Sequence, residues 1–284
     1  MKNEATNLKE QFTNEGFIVL KNSINKNLIA QSKEITLKAL NNIVGSSFDN
    51  IEESITTACK KFHQADVQSF LHQELQSQGI KSKILLTDQV LCFTKEVLGP
   101  DLSYNRGGAV CVNSRPTSDN LFMKEHHQEI WSGAGVNELR AWVPLYMPGS
   151  GGGLKIIPGS HTWGCIPNRE RAPVDLPGNA ETDELEPQVT EGDIVLFHSM
   201  TLHSTAINLS GQTRIAFTVG IRNFYHTFTG YEYFQSWQPY HFSPMAKIQK
   251  RLGNPLLTPY RTLGVPLSHR SEDDGFENLP FNLE

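Results

Sequence analysis

The sequence predicts a mainly β protein with flanking helices, because helical periodicity fills the first hundred residues and gives way to short β-rich segments. Apolar residues recur at spacings of three or four through most of residues 8–98. From about Ser103 onward, short apolar segments are broken by Gly, Pro and Asn, which is typical of the strands of a sandwich or barrel. We therefore expect a β sandwich or barrel with helices packed against it.

The composition is that of an ordinary folded protein. The chain has 284 residues, of which 38% are hydrophobic and 19% charged, and its net charge is −5. The negative charge and the lack of a long basic run argue against nucleic acid as a partner. No apolar run approaches the roughly 18 residues of a membrane span, and the polar start at Lys2–Asn7 is not a signal peptide. We expect a cytoplasmic protein that does not bind membranes.

The four cysteines, at positions 59, 92, 111 and 165, are widely separated and form no CxxC pair. Such spacing does not match a disulfide framework or a zinc site. We expect them to be small buried hydrophobic side chains in a reducing compartment.

The N-terminal region should contain a short helix, a turn at Gly16 and a strand ending at Leu20. Three longer helical segments should follow, with Gly45 ending the first and Gly99-Pro100 the last. These predicted helices are Asn27–Val44, Ser54–Gln76 and Lys81–Leu98.

The β-rich region is followed by an aromatic C-terminal tail. The predicted strands are Gly108–Asn113, Leu139–Tyr146, Leu154–Ile157, Asp193–His198 and Thr213–Ile221. The Pro- and acid-rich stretch 168–188 is expected to be a functional or mobile loop. The tail carries Tyr231, Tyr233, Phe234, Trp237 and Tyr240. These aromatic side chains should pack on the sheet, an oligomer contact being the alternative, and a helix is expected over Pro244–Leu252.

Two histidines and a carboxylate suggest a metal site. On a strand, the side chains of His127 and Glu129 would point to one face, while Gln128 would point away. A second strand could bring His203 beside them. Two histidines and one carboxylate form the facial triad of non-heme iron proteins, which leaves other coordination positions open.

Arg214 lies on a predicted strand with one small, polar face and one apolar face. Ala216, Thr218 and Gly220 share the face of Arg214, whereas the intervening residues Ile215, Phe217, Val219 and Ile221 form the other. A guanidinium on a cavity wall suits bidentate binding of a carboxylate. A surface ion pair is the alternative interpretation.

Several other residues are assigned structural roles. His126 would point away from His127, so it is expected to be structural or to face the substrate and not to be a ligand. His198 would point away from His203, so it is expected to lie in the core or to support a metal ligand. His161 follows a Pro-Gly-Ser turn and should shape the sheet. The glycine-rich stretch 149–153 lacks a phosphate-loop pattern, and Asn208-Leu209-Ser210 is expected to form a turn.

Taken in order, these motifs resemble the phytanoyl-CoA dioxygenase family of iron(II)- and 2-oxoglutarate-dependent oxygenases. The matching motifs are Asn14–Leu20, His127-Gln128-Glu129, Trp142–Leu145, Gly152–His161 and Gly192–His203, followed by Asn208, Ser210 and Arg214. The resemblance implies a double-stranded β-helix (jelly-roll, cupin-like) fold. It also implies that His127, Glu129 and His203 bind iron(II), that Arg214 binds the distal carboxylate of 2-oxoglutarate, and that Thr205 contacts this cosubstrate.

The resemblance further implies a dioxygenase that uses O₂ to hydroxylate a C–H bond of a small molecule. The family usually has Asp where this chain has Glu129. A catalytically silent ligand-binding module with a weakened metal site is therefore the alternative. The retained carboxylate disfavours halogenation, and the lack of a tight Lys/Arg cluster favours a small free metabolite over an acyl-CoA.

We expect one oxygenase domain over residues 1–284. Its parts would be a helical region over about 1–100, a jelly-roll core over about 103–222 and the aromatic extension over about 228–284. The oligomeric state is not predicted.

Overall fold

A computed structural model describes residues 2–105, 108–113, 125–149, 153–176, 183–208, 210–225 and 237–251. Most of its helices lie before residue 100, with the first strand of the larger sheet among them. The helices are α1 (Lys2–Glu15), α2 (Lys26–Val44), α3 (Ile51–Lys61), α4 (Gln64–Ser77), α5 (Ile80–Leu85), α6 (Asp88–Leu98) and α7 (Pro244–Arg251). Two short 3₁₀ helices cover Glu129–Ser132 and Ser160–Trp163.

The strands fall mainly in the middle of the chain. They are β1 (Phe17–Leu20), β2 (Leu102–Asn105), β3 (Val110–Asn113), β4 (Glu138–Tyr146), β5 (Leu154–Ile156), β6 (Asn168–Arg169), β7 (Ala172–Pro173), β8 (Ile194–His198), β9 (His203–Thr205), β10 (Arg214–Asn223) and β11 (Trp237–His241). All five strands predicted between 108 and 221 are present, with small shifts at their ends. Strands β2, β6, β7, β9 and β11 were not predicted.

Two antiparallel sheets form the predicted jelly roll. The larger sheet has the order β1-β8-β4-β10-β2-β11, and β3 also pairs with β10. The smaller sheet pairs β5 with β9, and isolated bridges from His127 to His203 and from Ile156 to Leu185 widen it on both sides. The double-stranded β-helix fold expected from the sequence is therefore confirmed.

The larger sheet is buried on both faces, and the alternation of side chains along each strand divides the core. Ile215, Phe217, Val219 and Ile221 of β10 face the helices and join one large apolar cluster with residues of α1 to α6. Trp142, Val195, Phe197 and Ala216 face the smaller sheet and pack with Leu154 and Ile156. Alternate positions on a strand point to opposite faces, so the predicted two-faced character of β10 follows from its sequence.

Two predicted helices are each split in two, which corrects the sequence interpretation. Ser54–Gln76 is broken at Phe62 and His63, whose backbones are extended, and the His63 side chain accepts a hydrogen bond from the Ala65 amide at 3.3 Å. Likewise, Lys81–Leu98 is broken at Leu86 and Thr87. Apolar periodicity continues across both breaks because the paired helices pack on the same core, so periodicity alone did not reveal the turns.

The predicted ends of α2 and of the first turn are confirmed. Gly45 has φ of 72° and ends α2, a left-handed conformation that favours glycine. Gly16, with φ of 76°, joins α1 to β1. A Cβ atom there would overlap the His161 ring and the Thr201 hydroxyl, so close packing also requires glycine. The Gly16 carbonyl accepts hydrogen bonds from the His198 amide and the Thr201 hydroxyl, which fixes the N-terminal region against the β8–β9 connection.

Other expectations had mixed outcomes. The cysteines form no disulfide in the described residues, but Cys92 and Cys165 are exposed and the other two are only half-buried, so the prediction of buried side chains was wrong.

Within 168–188, β6 and β7 form a small hairpin around Glu170 and Arg171, and residues 177–182 lie outside the described part. Residues 150–152, Tyr231, Tyr233, Phe234 and Leu252 also lie outside it. Tyr240 packs edge-on against Tyr104, as expected for a core aromatic.

No helix in the described part of the chain is long and apolar enough to cross a membrane.

Candidate metal centre

Backbone pairing brings His127 and His203 together. The His127 amide donates to the His203 carbonyl at 2.9 Å, and the His203 amide donates to the His127 carbonyl at 3.1 Å. In such a pair of antiparallel residues the two side chains lie on the same face. The imidazole centroids are 4.2 Å apart, and both rings are buried.

The same kind of hydrogen bond orients both imidazole rings. Nδ1 of His127 lies 2.8 Å from the Glu125 carbonyl, and Nδ1 of His203 lies 2.9 Å from the Thr201 carbonyl. A carbonyl oxygen only accepts, so each neutral ring carries its proton on Nδ1. The lone pair is therefore on Nε2 in both rings, which is the arrangement that a metal-binding histidine needs.

Glu129 completes the cluster, although its backbone is not in a strand as predicted. The chain is extended at Gln128 and turns into a 3₁₀ helix at Glu129, whose amide donates to the Ser199 carbonyl at 2.9 Å. The extended step still directs the side chains of His127 and Glu129 to one side. Gln128 points away and donates to the carbonyls of Gly164 and Met200, as predicted.

The two oxygens of the Glu129 carboxylate have different neighbours. Oε2 lies 3.0 Å from Nη2 of Arg140, and Oε1 lies 3.6 Å from Nε2 of His203. Burial raises the pKa of Glu129, but opposing contributions, of which the charge of Arg140 is the largest, hold this pKa well below its ordinary value. The carboxylate is thus ionised, with Oε1 directed towards the histidines.

These three side chains fit one metal ion. One ligand atom from each of His127, Glu129 and His203 can be chosen so that all lie within 4.8 Å of one another. Two bonds of roughly 2.1 Å to a shared ion hold their ligand atoms about 3 to 4 Å apart, so small side-chain movements would allow this cluster to hold one ion. The donor set, two neutral imidazoles and one carboxylate, suits a divalent transition metal.

The cluster lies in the wall of a cavity of about 480 Å³ between the two sheets and α4. Arg214 and Thr205 line the same cavity, as do Ala216 and Thr218 on the face of β10 that was expected to do so. Gly220 instead packs against Glu138 and Arg140. The structure thus brings every predicted site residue to one cavity; their individual roles remain predictions.

Arg214 is buried, which argues against the alternative that it forms an ion pair on the protein surface. Only 2% of its surface is exposed. Burial lowers the pKa of Arg214, and the nearby Glu52, Tyr146 and Glu186 oppose that shift. A guanidinium retains its proton in such surroundings, so Arg214 places a fixed positive charge on the cavity wall.

The histidines that were not predicted as ligands have other partners. His126 lies 2.7 Å from Glu184, which also contacts Lys155 and Ser204. His198 packs against Phe12 and His161 on the helix side of the sheet. Nε2 of His161 lies 3.0 Å from the Thr13 carbonyl.

The turn expected at Asn208 is present, because the Asn208 side chain accepts a hydrogen bond from the Ser210 amide.

The sequence interpretation missed Arg140 and the wall formed by α4. Arg140 shares the inward face of β4 with Trp142, so a charged residue at an inward position was the available signal. Gln68, Ser69 and His72 of α4 line the cavity. Sequence periodicity gave no such signal, because a polar helix face that borders a cavity has the same pattern as one that faces water.

The fold is the one shared by cupin-like oxygenases of known structure. The epimerase SnoN in complex with Fe³⁺, alpha ketoglutarate and nogalamycin RO has a TM-score of 0.55 and 13% identity, covering 80% of this chain and 87% of that one. EctD from S. alaskensis with 2-oxoglutarate and 5-hydroxyectoine has a TM-score of 0.51 and 17% identity, covering 81% and 78%. The alpha ketoglutarate dependent carbocyclase SnoK gives 0.50 and 16%, covering 78% and 85%.

At these identities the likeness establishes a common fold. The family model described as phytanoyl-CoA dioxygenase matches residues 12–216, well over half of the sequence. The chain therefore belongs to the phytanoyl-CoA dioxygenase family. No curated protein sequence matches it significantly.

Proposed function

We propose that the protein is an iron(II)- and 2-oxoglutarate-dependent dioxygenase that hydroxylates a C–H bond of a small molecule. The observation that carries this proposal is the cluster of His127, Glu129 and His203 within 4.8 Å, in one cavity with Arg214. Membership of the family supports the same chemistry, as do solved neighbours described with Fe and 2-oxoglutarate.

Each residue has a defined task in this proposal. Nε2 of His127, Nε2 of His203 and Oε1 of Glu129 hold iron(II), while Arg140 fixes the other oxygen of Glu129. Arg214 binds the distal carboxylate of 2-oxoglutarate as a bidentate partner, and Thr205 donates its hydroxyl to the same group. Iron(II), once bound with 2-oxoglutarate and O₂, supplies the oxidising chemistry. Trp142 and Phe197 line the cavity and restrict the access of water to it.

The binding half of the proposal can be tested without a substrate. Iron(II) is titrated under anaerobic conditions into the full-length protein, followed by 2-oxoglutarate, and the visible absorption band of their complex is recorded. We expect His127→Ala and His203→Ala to lose the band. Arg214→Met should retain iron binding but require at least tenfold more 2-oxoglutarate, as expected when a hydrogen bond to a charged group is lost. A band of wild-type strength in both histidine variants would disprove the ligand assignment.

The catalytic half is tested by screening metabolites for succinate release. Product analysis must accompany this screen, because the neighbours SnoN and SnoK are described as an epimerase and a carbocyclase. A product with one added oxygen atom supports hydroxylation, whereas an isomerised or cyclised product contradicts it.

The second candidate function is a ligand-binding module with a weak metal site, favoured by Glu129 itself. Glu is one methylene longer than the Asp usual in the family, so the geometry of the metal site has to adjust to it. This candidate predicts no absorption band in the wild-type protein. A band that appears only in Glu129→Asp would favour it, whereas a strong band in the wild type would exclude it.

A further inference from the structure

Behind the α4 wall of the cavity lies a lysine with no exposed surface. Lys81 of α5 is fully buried, and its Nζ lies 3.0 Å from Nδ1 of His72, which lines the cavity. Its ammonium also lies 5.9 Å from the centre of the Phe217 ring. None of the ion pairs found in the described part of the chain includes Lys81.

A buried ammonium without a carboxylate partner is energetically costly. Burial, together with the charge of Arg140, lowers the pKa of Lys81 to about 7, and Cys111 opposes the shift. An anion bound nearby would raise this pKa again and would stabilise the charged lysine. The pair of Lys81 and His72 therefore favours an anionic ligand in the adjoining cavity.

His72 can link the positive charge of Lys81 to a ligand in the cavity. An ammonium group only donates hydrogen bonds, so a charged Lys81 requires Nδ1 of His72 to accept. The neutral ring then carries its proton on Nε2, at its opposite edge. His72 thus acts as a hydrogen-bond donor backed by a positive charge.

Gln68, one turn earlier on α4, provides a second and independent observation. Residues four apart on a helix lie on the same face, so Gln68 and His72 are neighbours there. The Gln68 side chain is 4% exposed, and its Oε1 accepts from the Val112 amide at 2.7 Å. Its Nε2 has no hydrogen-bond partner within the described part of the chain, although the residue lines the cavity. A buried donor left unsatisfied indicates that a ligand oxygen completes the site.

The position of Lys81 separates it from the expected cosubstrate site. A Cβ atom added to Gly108 would lie 3.2 Å from Nζ of Lys81 and against the Thr218 carbonyl. Thr218 is four residues along β10 from Arg214, which corresponds to roughly 13 Å. The Lys81–His72 pair therefore lies further along β10 from Arg214 than Gln68 does, because Val112, the partner of Gln68, pairs with Ile215.

We propose that the substrate is a small carboxylate. Its anionic group binds to His72, which is backed by the charge of Lys81, and another of its oxygen atoms accepts a hydrogen bond from Gln68. This inference rests on the proposed function, because it names the substrate class of the same cavity. It assigns recognition to the helical region, which lies outside the metal cluster.

The experiment uses a panel of carboxylic acids of increasing chain length, each paired with its primary amide. Each compound is titrated into the full-length protein loaded with iron(II) and 2-oxoglutarate under anaerobic conditions. Binding is read from thermal stabilisation and from the change in tryptophan fluorescence, since Trp142 lines the cavity. We expect at least one acid to bind tenfold or more tightly than its amide, the effect of a hydrogen bond to a charged group.

Two variants should abolish this preference. Lys81→Met removes the charge, and His72→Leu removes the donor, so that acid and amide should bind equally in both. Lys83→Met is the matched control, since Lys83 is an exposed lysine on the same helix, and it should retain the wild-type preference. If Lys81→Met does not fold, His72→Leu and Gln68→Met still test the site. Gln68→Met should weaken the binding of acid and amide alike.

Several outcomes would overturn the inference. One is equal binding of acids and amides to the wild-type protein. Another is a loss of 2-oxoglutarate affinity in the Lys81 and His72 variants with the acid preference intact, which would assign the pair to the cosubstrate. The iron and 2-oxoglutarate absorption band is measured separately. If the absorption band appears but acids are not preferred, only the carboxylate substrate is disproved. If acids are preferred but no absorption band appears, only the proposed function is disproved.

Discussion

At the scale of single residues, the contact between Arg140 and Glu129 determines how well the carboxylate is placed. Arg140 approaches Oε2 at 3.0 Å and leaves Oε1 directed towards His203. A longer carboxylate side chain has one more rotatable bond than Asp, so it loses more entropy when it is held in one position. The guanidinium supplies this restraint, which supports Glu129 as a functional ligand.

We expect Arg140→Met to weaken iron(II) binding about 10- to 100-fold, the usual effect of removing a group that orients a metal ligand. Arg140→Lys retains the charge but not the planar donor geometry, so it should recover only part of the affinity. Anaerobic iron titration measures both variants. Arg169→Met, which removes an exposed arginine, is the control. Unchanged iron affinity in Arg140→Met would show that Glu129 needs no restraint.

At the scale of secondary-structure elements, α3 holds the beginning of β10. Glu52, in the first turn of α3, accepts hydrogen bonds from the amide and the hydroxyl of Thr213, both at 2.9 Å. Thr213 is buried and directly precedes Arg214. A helix far away in sequence therefore fixes the strand end that carries the predicted cosubstrate ligand.

Replacing Glu52 by Ala should lower the free energy of unfolding by about 2–3 kcal/mol, because it leaves the buried Thr213 amide and hydroxyl without their acceptors. Glu53→Ala is the matched control, since Glu53 is in the same helical turn but exposed. It should cost less than about 1 kcal/mol, the size of its interaction with the helix dipole. Urea denaturation compares the two variants. Equal losses would mean that the contact with Thr213 contributes nothing to stability.

The elements also show what the sequence could and could not predict. The strands β4 and β8 were predicted because they are short β-rich apolar runs, and β10 was predicted because small or polar residues alternate with large apolar residues along it. The breaks near His63 and Thr87 were missed because apolar periodicity continues across both, and only His63 makes a side-chain cap. His127 and Glu129 were predicted to converge because they are two residues apart on extended chain, although Glu129 begins a helical turn. Arg140, His72 and Lys81 needed the tertiary structure, since their partners are distant in sequence.

At the scale of the whole molecule, His198 couples stability to pH. Burial, and then the charge of His161, lower the pKa of His198 from 6.5 to about 4, while a hydrogen bond at the Val136 backbone opposes the shift. Between these pH values the unfolded chain binds a proton that the folded protein does not. The contribution of neutral His198 to the stability of the folded protein is therefore complete above pH 6.5 and is lost as pH falls towards 4.

We expect the free energy of unfolding to fall by up to about 1.4 kcal/mol per pH unit through this window, less whatever solvent screening of the partly exposed ring removes. His198→Asn retains an acceptor for the Met200 amide but does not titrate there. Its unfolding free energy, measured by urea denaturation at pH 7, 6 and 5, should depend less steeply on pH than that of the wild type. Identical slopes would exclude His198 as the responsible group.

The backbone pairing of His127 with His203 also bears on how the protein matures during synthesis. The two imidazoles become neighbours only when the smaller sheet closes, so a nascent chain that ends before residue 203 cannot present both of them to a metal. If these histidines hold iron as proposed, the complete site can form only after the chain has been translated beyond residue 203.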